Sequence, residues 1–514
     1  MTRAHPSLRT PRVAVIGAGI SGLAAALELA HAGIDVLVLD KAGGPGGKMR
    51  TLPSAAGPVD AGPTVFTMKP VFDDLFASVD ESLEAHLTLH PADILARHHW
   101  RGHPLLDLFV DLEQSIEAVR AFAGPYEAQR FAAFTARANL LFDAFEEPVM
   151  RAPAPSPLSV SQAILSDALR LAPAMAPLST LWQALGRSFK SPQLRQLFAR
   201  YATYVGGSPL LSPALLMLVW ASEQRGVWHI EGGMHALAQA LERLATARGV
   251  IFRYGAEIAR IKHTGARASG VVLMNGERIE ADAILFNGDP AALAGGIAPV
   301  AASPTPRRAR SLSAWVWTFA AAPRGLDLSQ HSVFFSDNYP AEFHALFKHR
   351  ALPADPTLYL CAQDRDGSRP AEGQERFQII MNAPADGDIT APGDSEVQQW
   401  QSTVFTRFRD AGLHLDPPTD RAALTTPDQF SSLFPGTGGA LYGINPHGAM
   451  RTFSRPTART RVKGLYLCGG GCHPGPGVPM AALSGRHAAA AIIADRASIF
   501  PSIQVAMPGG ISTG

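Results

Sequence analysis

An α/β fold organised around a parallel sheet is predicted by two glycine-rich turns at opposite ends of the chain. Near the N-terminus, Val13-Ala-Val-Ile-Gly17-Ala-Gly19-Ile-Ser-Gly22 carries a β-branched strand into G-x-G-x-x-G and then an Ala/Leu-rich helix. Near the C-terminus, Gly464-Leu-Tyr-Leu-Cys-Gly469-Gly-Gly-Cys-His-Pro-Gly475-Pro-Gly477-Val-Pro-Met480 repeats the order strand, glycine loop, helix. One such loop holds a pyrophosphate. Two, at opposite ends of one chain, point to a Rossmann-like sheet closed around a cofactor with two distinct ends.

In the first turn Gly17 permits the tight bend, Gly19 lets backbone approach a pyrophosphate, and Gly22 lets the helix pack on the strand. The free N–H groups and dipole at the start of a helix over 20–32 attract the phosphates. The next strand, 34–40, ends in Asp40, about 20 residues past the turn, where a ribose hydroxyl is bound. An acid there favours an unphosphorylated ribose. Lys41-Ala-Gly-Gly-Pro-Gly46-Gly47-Lys48 then sets a paired glycine and a cation beyond the ribose acid, and Asp60-Ala-Gly62-Pro63-Thr64-Val-Phe-Thr67 forms another small-residue loop. Close passage of phosphates and a flavin, with Lys48 as charge partner, suits this pattern and favours FAD over NAD.

The 514 residues are enough for two or three domains. Hydrophobic residues make up 46% and charged ones 17%, and the formal net charge of +1 offers no broad field for nucleic acid. The three cysteines (Cys361, Cys468, Cys472) fit a reducing compartment, with no Cys/His partners at metal-site spacing, so no metal is expected. Residues 1–12 lack the apolar core of a secretory signal, and no run of 18 apolar residues occurs. A cytoplasmic protein, peripheral on the inner face of the membrane, is the expectation.

The βαβ unit and its glycine extensions fill residues 11–70. Residues 71–224 are expected to be a mostly helical, membrane-facing substrate subdomain, broken by prolines at 153–157. Within it, 158–190 carries few charges and reads either as a helical core or as a surface that dips into lipid. A helix over 234–248, strands at 250–254 and 256–261, a hairpin turning at Asn275-Gly276 and a strand at 283–289 fit the remainder of the nucleotide domain. The domain is then discontinuous, comprising 11–70, 225–299 and 435–496. Residues 300–434 read as a strand-rich substrate domain with strands near 315–319, 332–336 and 377–381, and 1–10 and 497–514 as flexible termini.

These motifs together resemble the bacterial phytoene desaturase family of FAD-dependent carotenoid desaturases, a branch of the amine-oxidase-like flavoproteins. The residues that carry the resemblance are Gly17–Gly22, Gly43-Gly-Pro-Gly-Gly-Lys48, Asp60–Thr67, Arg200-Tyr-Ala-Thr-Tyr-Val-Gly-Gly-Ser208, Gly226–Met234, Tyr359–Arg365 and Gly464–Ser484. His473-Pro-Gly475 with Val478-Pro479 is similar to carotenoid desaturases in particular, and Met480-Ala-Ala-Leu-Ser-Gly-Arg486 to the branch acting on hydroxycarotenoids. The resemblance implies that the pyrophosphate lies on Gly17, Gly19, Ser21 and Gly22, with Asp40 on the ribose and Ile258 at the adenine. It implies that Lys41, Gly47 and Lys48 follow the dinucleotide. The isoalloxazine ring then rests between Gly62, Pro63 and Thr64 on one side and Gly470, Gly471, Val478, Pro479 and Met480 on the other.

The implied reaction is a C-3/C-4 desaturation of acyclic 1-hydroxycarotenoids by hydride transfer to flavin N5, with oxygen or a quinone as final acceptor. No Ser/His/Asp order and no paired carboxylates stand out. An allylic hydride departure leaves a cation spread over the polyene, which demands no strong base. A long apolar tunnel is the main requirement; Trp315, Trp317, Phe334, Phe335, Tyr201 and Tyr204 are candidates either for its lining or for ordinary core packing, and His473 either for a group at the ring or for a loop histidine with its own partner. Two alternatives stay open beside a related carotenoid desaturase or isomerase: a flavin amine or porphyrinogen oxidase, and a non-catalytic prenyl-lipid escort protein.

Overall fold

Five short apolar strands from separate stretches of the chain make a parallel sheet in the computed structural model, which describes residues 12–155, 168–365, 373–448, 451 and 454–495. The order is Ile251–Arg253, Asp35–Leu39, Arg12–Ile16, Ala283–Phe286, Leu465–Leu467. The four strands from Asp35–Leu39 to Leu465–Leu467 are buried on both faces, as a parallel sheet demands, and the edge strand Ile251–Arg253 is partly exposed. Val13 and Val15 pack under the helices Ile20–His31, His235–Ala247 and Val478–Ala494. Ala14 and Ile16 point the other way, toward a three-stranded antiparallel sheet. That small sheet contains the expected Asn275-Gly276 hairpin and one further strand pair, Ile258–Thr264 with Arg267–Leu273, that the sequence reading did not separate.

The second large sheet has seven strands, in the order Leu424–Thr425, Ser313–Ala321, Glu375–Ala383, Leu358–Ala362, His331–Phe334, Ile94–His99, Leu106–Phe109. Its last two members come from the stretch expected to be mostly helical. Ile94-Leu-Ala-Arg-His-His99 lacks the apolar alternation of a strand, yet it is largely buried because its polar groups find partners. Arg97 makes a two-pronged bond to Asp107 at 2.8 Å, and His98 Nδ1 lies 3.0 Å from the Leu106 carbonyl. Burial of such residues costs little once they are satisfied.

The helices Pro125–Phe145, Leu181–Ser188, Pro192–Ala199 and Leu218–Gln224 bury a third core, in which Phe131, Phe134, Phe198 and Trp220 meet ring on ring. Thr180 and Gln183 form a reciprocal cap at the start of one of these helices. Among the described residues no helix is long and apolar enough to cross a membrane. The expected flexible termini, 1–10 and 497–514, and the first part of the low-charge stretch, 158–167, lie outside the described residues.

Candidate functional site: a cavity between two glycine loops

The first loop is shaped by one distant side chain. Gly17 adopts φ +103°, a conformation that disfavours any side chain, and Asn287 Nδ2 donates to the carbonyls of Gly17 at 3.0 Å and Gly19 at 3.2 Å. Asn287 follows the fourth strand of the parallel sheet, so the turn after one strand is pinned by the residue after its neighbour. Gly22 serves helix packing rather than the cavity: a Cβ there would stand 2.2 Å from the Gly17 carbonyl oxygen. Asp40 accepts N–H bonds from Ala18 at 2.6 Å and Ala42 at 2.8 Å, one on each carboxylate oxygen. A carboxylate accepts about four hydrogen bonds, so capacity for a ribose hydroxyl is left.

The loop 60–67 is clamped from both sides. Asp60 exchanges two backbone bonds with the Gln363 amide, at 2.9 and 3.0 Å. Its carboxylate takes the N–H groups of Met234 and His235 at the start of helix His235–Ala247. Burial raises the Asp60 pKa, and those two N–H groups pull against that rise. Gln378 donates to the Gly62 carbonyl at 2.9 Å, and Thr64 Oγ1 is 2.7 Å from the Tyr359 hydroxyl.

These parts enclose one cavity of about 1060 Å³, larger than the ~300–1,000 Å³ of most small-ligand sites. Its wall includes Gly17, Gly19, Ser21, Asp40, Lys41, Gly47 and Lys48 from the first end of the chain. Gly62, Pro63, Thr64 and Ile258 follow, then Gly470, Gly471, Val478, Pro479 and Met480 from the other end. Sixteen of the expected cofactor residues therefore share one wall; Gly22 lies behind it. Some have a second use. Ser21 gives its hydroxyl proton to the Ala481 carbonyl, and Lys48 Nζ donates to Leu441 O at 2.6 Å, keeping further N–H donors for a ligand. Burial lowers the Lys48 pKa, with Asp289 opposing and Arg455 adding to the fall.

The structure places His473 elsewhere. Its Nε2 lies 2.8 Å from the Ala152 carbonyl, its ring stacks on His487 with centroids 6.0 Å apart, and it does not line the cavity. It fastens the turn whose Val149 and Met150 do line it. Of the six candidate tunnel residues, Tyr204 alone reaches the wall. The reason is strand parity: Trp315 and Trp317 share the face packed into the core, and Val316 between them faces the cavity. Gln378, Ile380 and Asn382 face it likewise, while Phe377, Ile379 and Met381 are core. Phe334 lies in that same core, and Phe335 and Tyr201 in the helical one.

Sequence reasoning missed two residues. Asn287 falls within the strand expected at 283–289, and its place after an apolar run is the signal that could flag it. Arg455 gave no signal: it is buried on the wall and bolts the second loop down, donating to the carbonyls of Gly470 at 3.1 Å, Tyr442 at 3.2 Å and Ile444 at 2.9 Å. Burial brings its pKa down to about 10, against the pull of Asp289, so it stays a cation at neutral pH.

The wall also fits a bound dinucleotide by what it leaves unmet. Gln378 Oε1, Thr437 Oγ1 and Arg50 Nε are buried there without a hydrogen-bond partner among the described residues. Such groups call for a polar ligand. Beyond the loops the cavity continues between the seven-stranded sheet and the apolar residues Phe142, Phe145, Leu215, Leu216, Leu218 and Val219 of the helical layer.

A wall of glycine loops from both ends of the chain, joined to an apolar chamber, suits a flavoprotein oxidoreductase with FAD as its cofactor. The sequence profile of the flavin-containing amine oxidoreductases matches residues 20–493. A hydroxyneurosporene desaturase of Cereibacter sphaeroides is 52% identical over 492 residues, spanning 95% of this chain and 98% of the relative. A 1-hydroxycarotenoid 3,4-desaturase of a Flavobacterium is 28% identical, spanning 92% of this chain and 97% of the relative. The solved cyclohexylamine oxidase of Brevibacterium oxydans IH-35A shares the fold, with a TM-score of 0.55, 19% identity and coverage of 95% and 100%. The chain belongs to the flavin-containing amine oxidoreductase family and, within it, to the carotenoid desaturases.

Replacing Asn287 with Ala strips the donor from two loop carbonyls, a change worth about 1–3 kcal/mol. Titration of the apoprotein with FAD is expected to show binding weakened about tenfold. An unchanged dissociation constant contradicts the role given to Asn287.

Proposed function

We propose that this chain is an FAD-dependent desaturase that introduces a double bond between C-3 and C-4 of acyclic 1-hydroxycarotenoids. The observation that carries the reading is the single cavity joining the nucleotide wall to an apolar chamber. The similarity to hydroxycarotenoid desaturases along nearly the whole chain supports the substrate class. The stretches 11–70, 225–299 and 435–496 act as one nucleotide domain, and 71–224 with 300–434 as the substrate-holding part.

Bound FAD supplies the hydride acceptor. Gly17, Gly19 and Ser21 would hold its pyrophosphate, Asp40 its ribose, and Ile258 would meet the adenine. The small residues Gly62, Pro63 and Thr64 and the helix start at Val478–Met480 flank its ring. The chain's remaining task is placement. Val316 and Ile380 on the sheet face and Leu215, Leu216 and Val219 on the helical layer hold the polyene and exclude water, which sharpens position at the reacting bond. The positive end of helix Val478–Ala494 lies on the cavity wall and favours negative charge developing there. His331, whose pKa burial brings down to about 3, stays neutral and hydrogen-bonds Tyr359 at 2.8 Å.

A carotenoid reaches the chamber from a bilayer, so the protein docks on the membrane surface, through apolar area rather than charge. Leu178 and Leu169 are 99% and 92% exposed, and Leu211, on a segment bonded to 179–181, is 49% exposed. Oxygen or a quinone would serve as the final electron acceptor.

Expression in hosts that accumulate either a 1-hydroxycarotenoid or phytoene tests the reaction. The hydroxylated pigment is expected to lose one H₂ by mass and to absorb at longer wavelength. Conversion of phytoene alone contradicts the assignment and favours the hydrocarbon desaturases. In flotation, the protein is expected to rise with liposomes at high salt; a protein left wholly at the bottom contradicts membrane docking.

A further inference from the structure

In the chamber wall one charged residue stands out. Arg200 is 8% exposed, lines the cavity, and forms no ion pair with a carboxylate among the described residues. Two phenols hold it: its guanidinium carbon is 4.9 Å from the Tyr204 ring and 5.7 Å from the Tyr359 ring. Cation–π attraction offsets part of the cost of burying the charge. Burial pulls its pKa down, yet Tyr204, Glu223, Tyr201 and Tyr359 outweigh that, and the net shift is upward, so the group is always a cation.

Its hydrogen-bonding capacity is not filled. A guanidinium has five N–H donors and no acceptor. Glu223 Oε2 accepts from Tyr201 at 2.6 Å, and Arg200 lies over the Tyr204 ring without a hydrogen-bond acceptor of its own among the described residues. Donors on Arg200 remain for an acceptor inside the cavity. With Glu223 close by, the cluster is charge-balanced, which favours a neutral oxygen over an anion.

The cluster also stands at the right distance from the chemistry. Tyr359, which faces Arg200, has its hydroxyl 2.7 Å from Thr64 in the loop assigned to the flavin ring. In a 1-hydroxycarotenoid the oxygen-bearing carbon is separated from the C-3/C-4 bond by a single carbon. A group that grips that oxygen therefore has to sit about one side chain from the ring loop, as Arg200 does.

We propose that Arg200, braced by Tyr204 and Tyr359, seats the terminal hydroxyl or ether oxygen of the polyene and so selects oxygenated substrates and the bond to be oxidised. This assignment rests on the reaction proposed above. Arg200 is a specificity residue: it holds one end of the substrate and takes no part in electron transfer.

The test uses purified, FAD-loaded protein with a 1-hydroxycarotenoid and the same polyene lacking the oxygen, comparing kcat/KM and binding followed by the carotenoid absorption shift. The wild type is expected to prefer the oxygenated polyene. Arg200→Leu is expected to erase about 10- to 100-fold of that preference, mostly through KM and binding of the oxygenated polyene, with the deoxy polyene little changed. Arg200→Lys restores part of the preference, and Tyr204→Phe lowers it by about threefold. If Arg200→Leu fails to fold, the last two variants carry the test. Variants that keep the wild-type ratio, or a wild type without preference, overturn the assignment while leaving the desaturase reading intact. A wild type that oxidises neither polyene overturns the reaction itself and this assignment with it.

Discussion

Gly485 lies flat against the backbone of Ser21, near the opposite end of the chain. A Cβ at Gly485 would stand 2.1 Å from the Ser21 carbonyl oxygen, and the Ser21 hydroxyl closes the contact by donating to Ala481. The two helices that begin at the two glycine loops, Ile20–His31 and Val478–Ala494, touch because neither carries bulk there. Everything at the wall between the two glycine loops depends on that approach: with the helices closer or farther apart, the loops that start them would not face one cavity. Asn287 and Arg455 then set the detail, one on each loop.

The cavity that results has two characters. Toward the loops its wall is largely backbone and small residues, with unmet polar atoms on Gln378, Thr437 and Arg50. Away from them it is largely apolar, with Arg200, Glu223, Tyr204 and Tyr359 as its polar cluster. A nucleotide and a long hydrocarbon need those two environments, and they need them to meet. The apolar part is formed where the seven-stranded sheet faces the helical layer, so fold and substrate class follow from the same packing.

The first turn was legible in the sequence because its chemistry is local: Gly17, Gly19, Gly22 and Asp40 sit at spacings fixed by one βαβ unit. The later loops were legible for the same reason. Partners brought together across the chain were not. Asn287 is 270 residues from Gly17, and no local pattern records that bond. For Trp315 and Trp317 the sequence leaves tunnel lining and core packing both open, since bulk aromatic residues suit either; which face of a strand looks inward is settled only once the sheet is packed. The strand Ile94–His99 was hidden by its own polarity, since Arg97 and His98 become tolerable inside only through Asp107 and the Leu106 carbonyl. His473 sat in the right loop and pointed the wrong way.

Gly485→Val tests the central contact most directly, read as FAD content and affinity of the folded protein, with far-UV circular dichroism as the fold check and Gly393→Ala as control, since a Cβ at Gly393 meets nothing within 4 Å. Forcing the helices apart is expected to weaken FAD binding about tenfold or more while the secondary structure persists, and the control is expected to bind as the wild type does. A Gly485→Val protein that holds FAD at wild-type affinity would contradict the account.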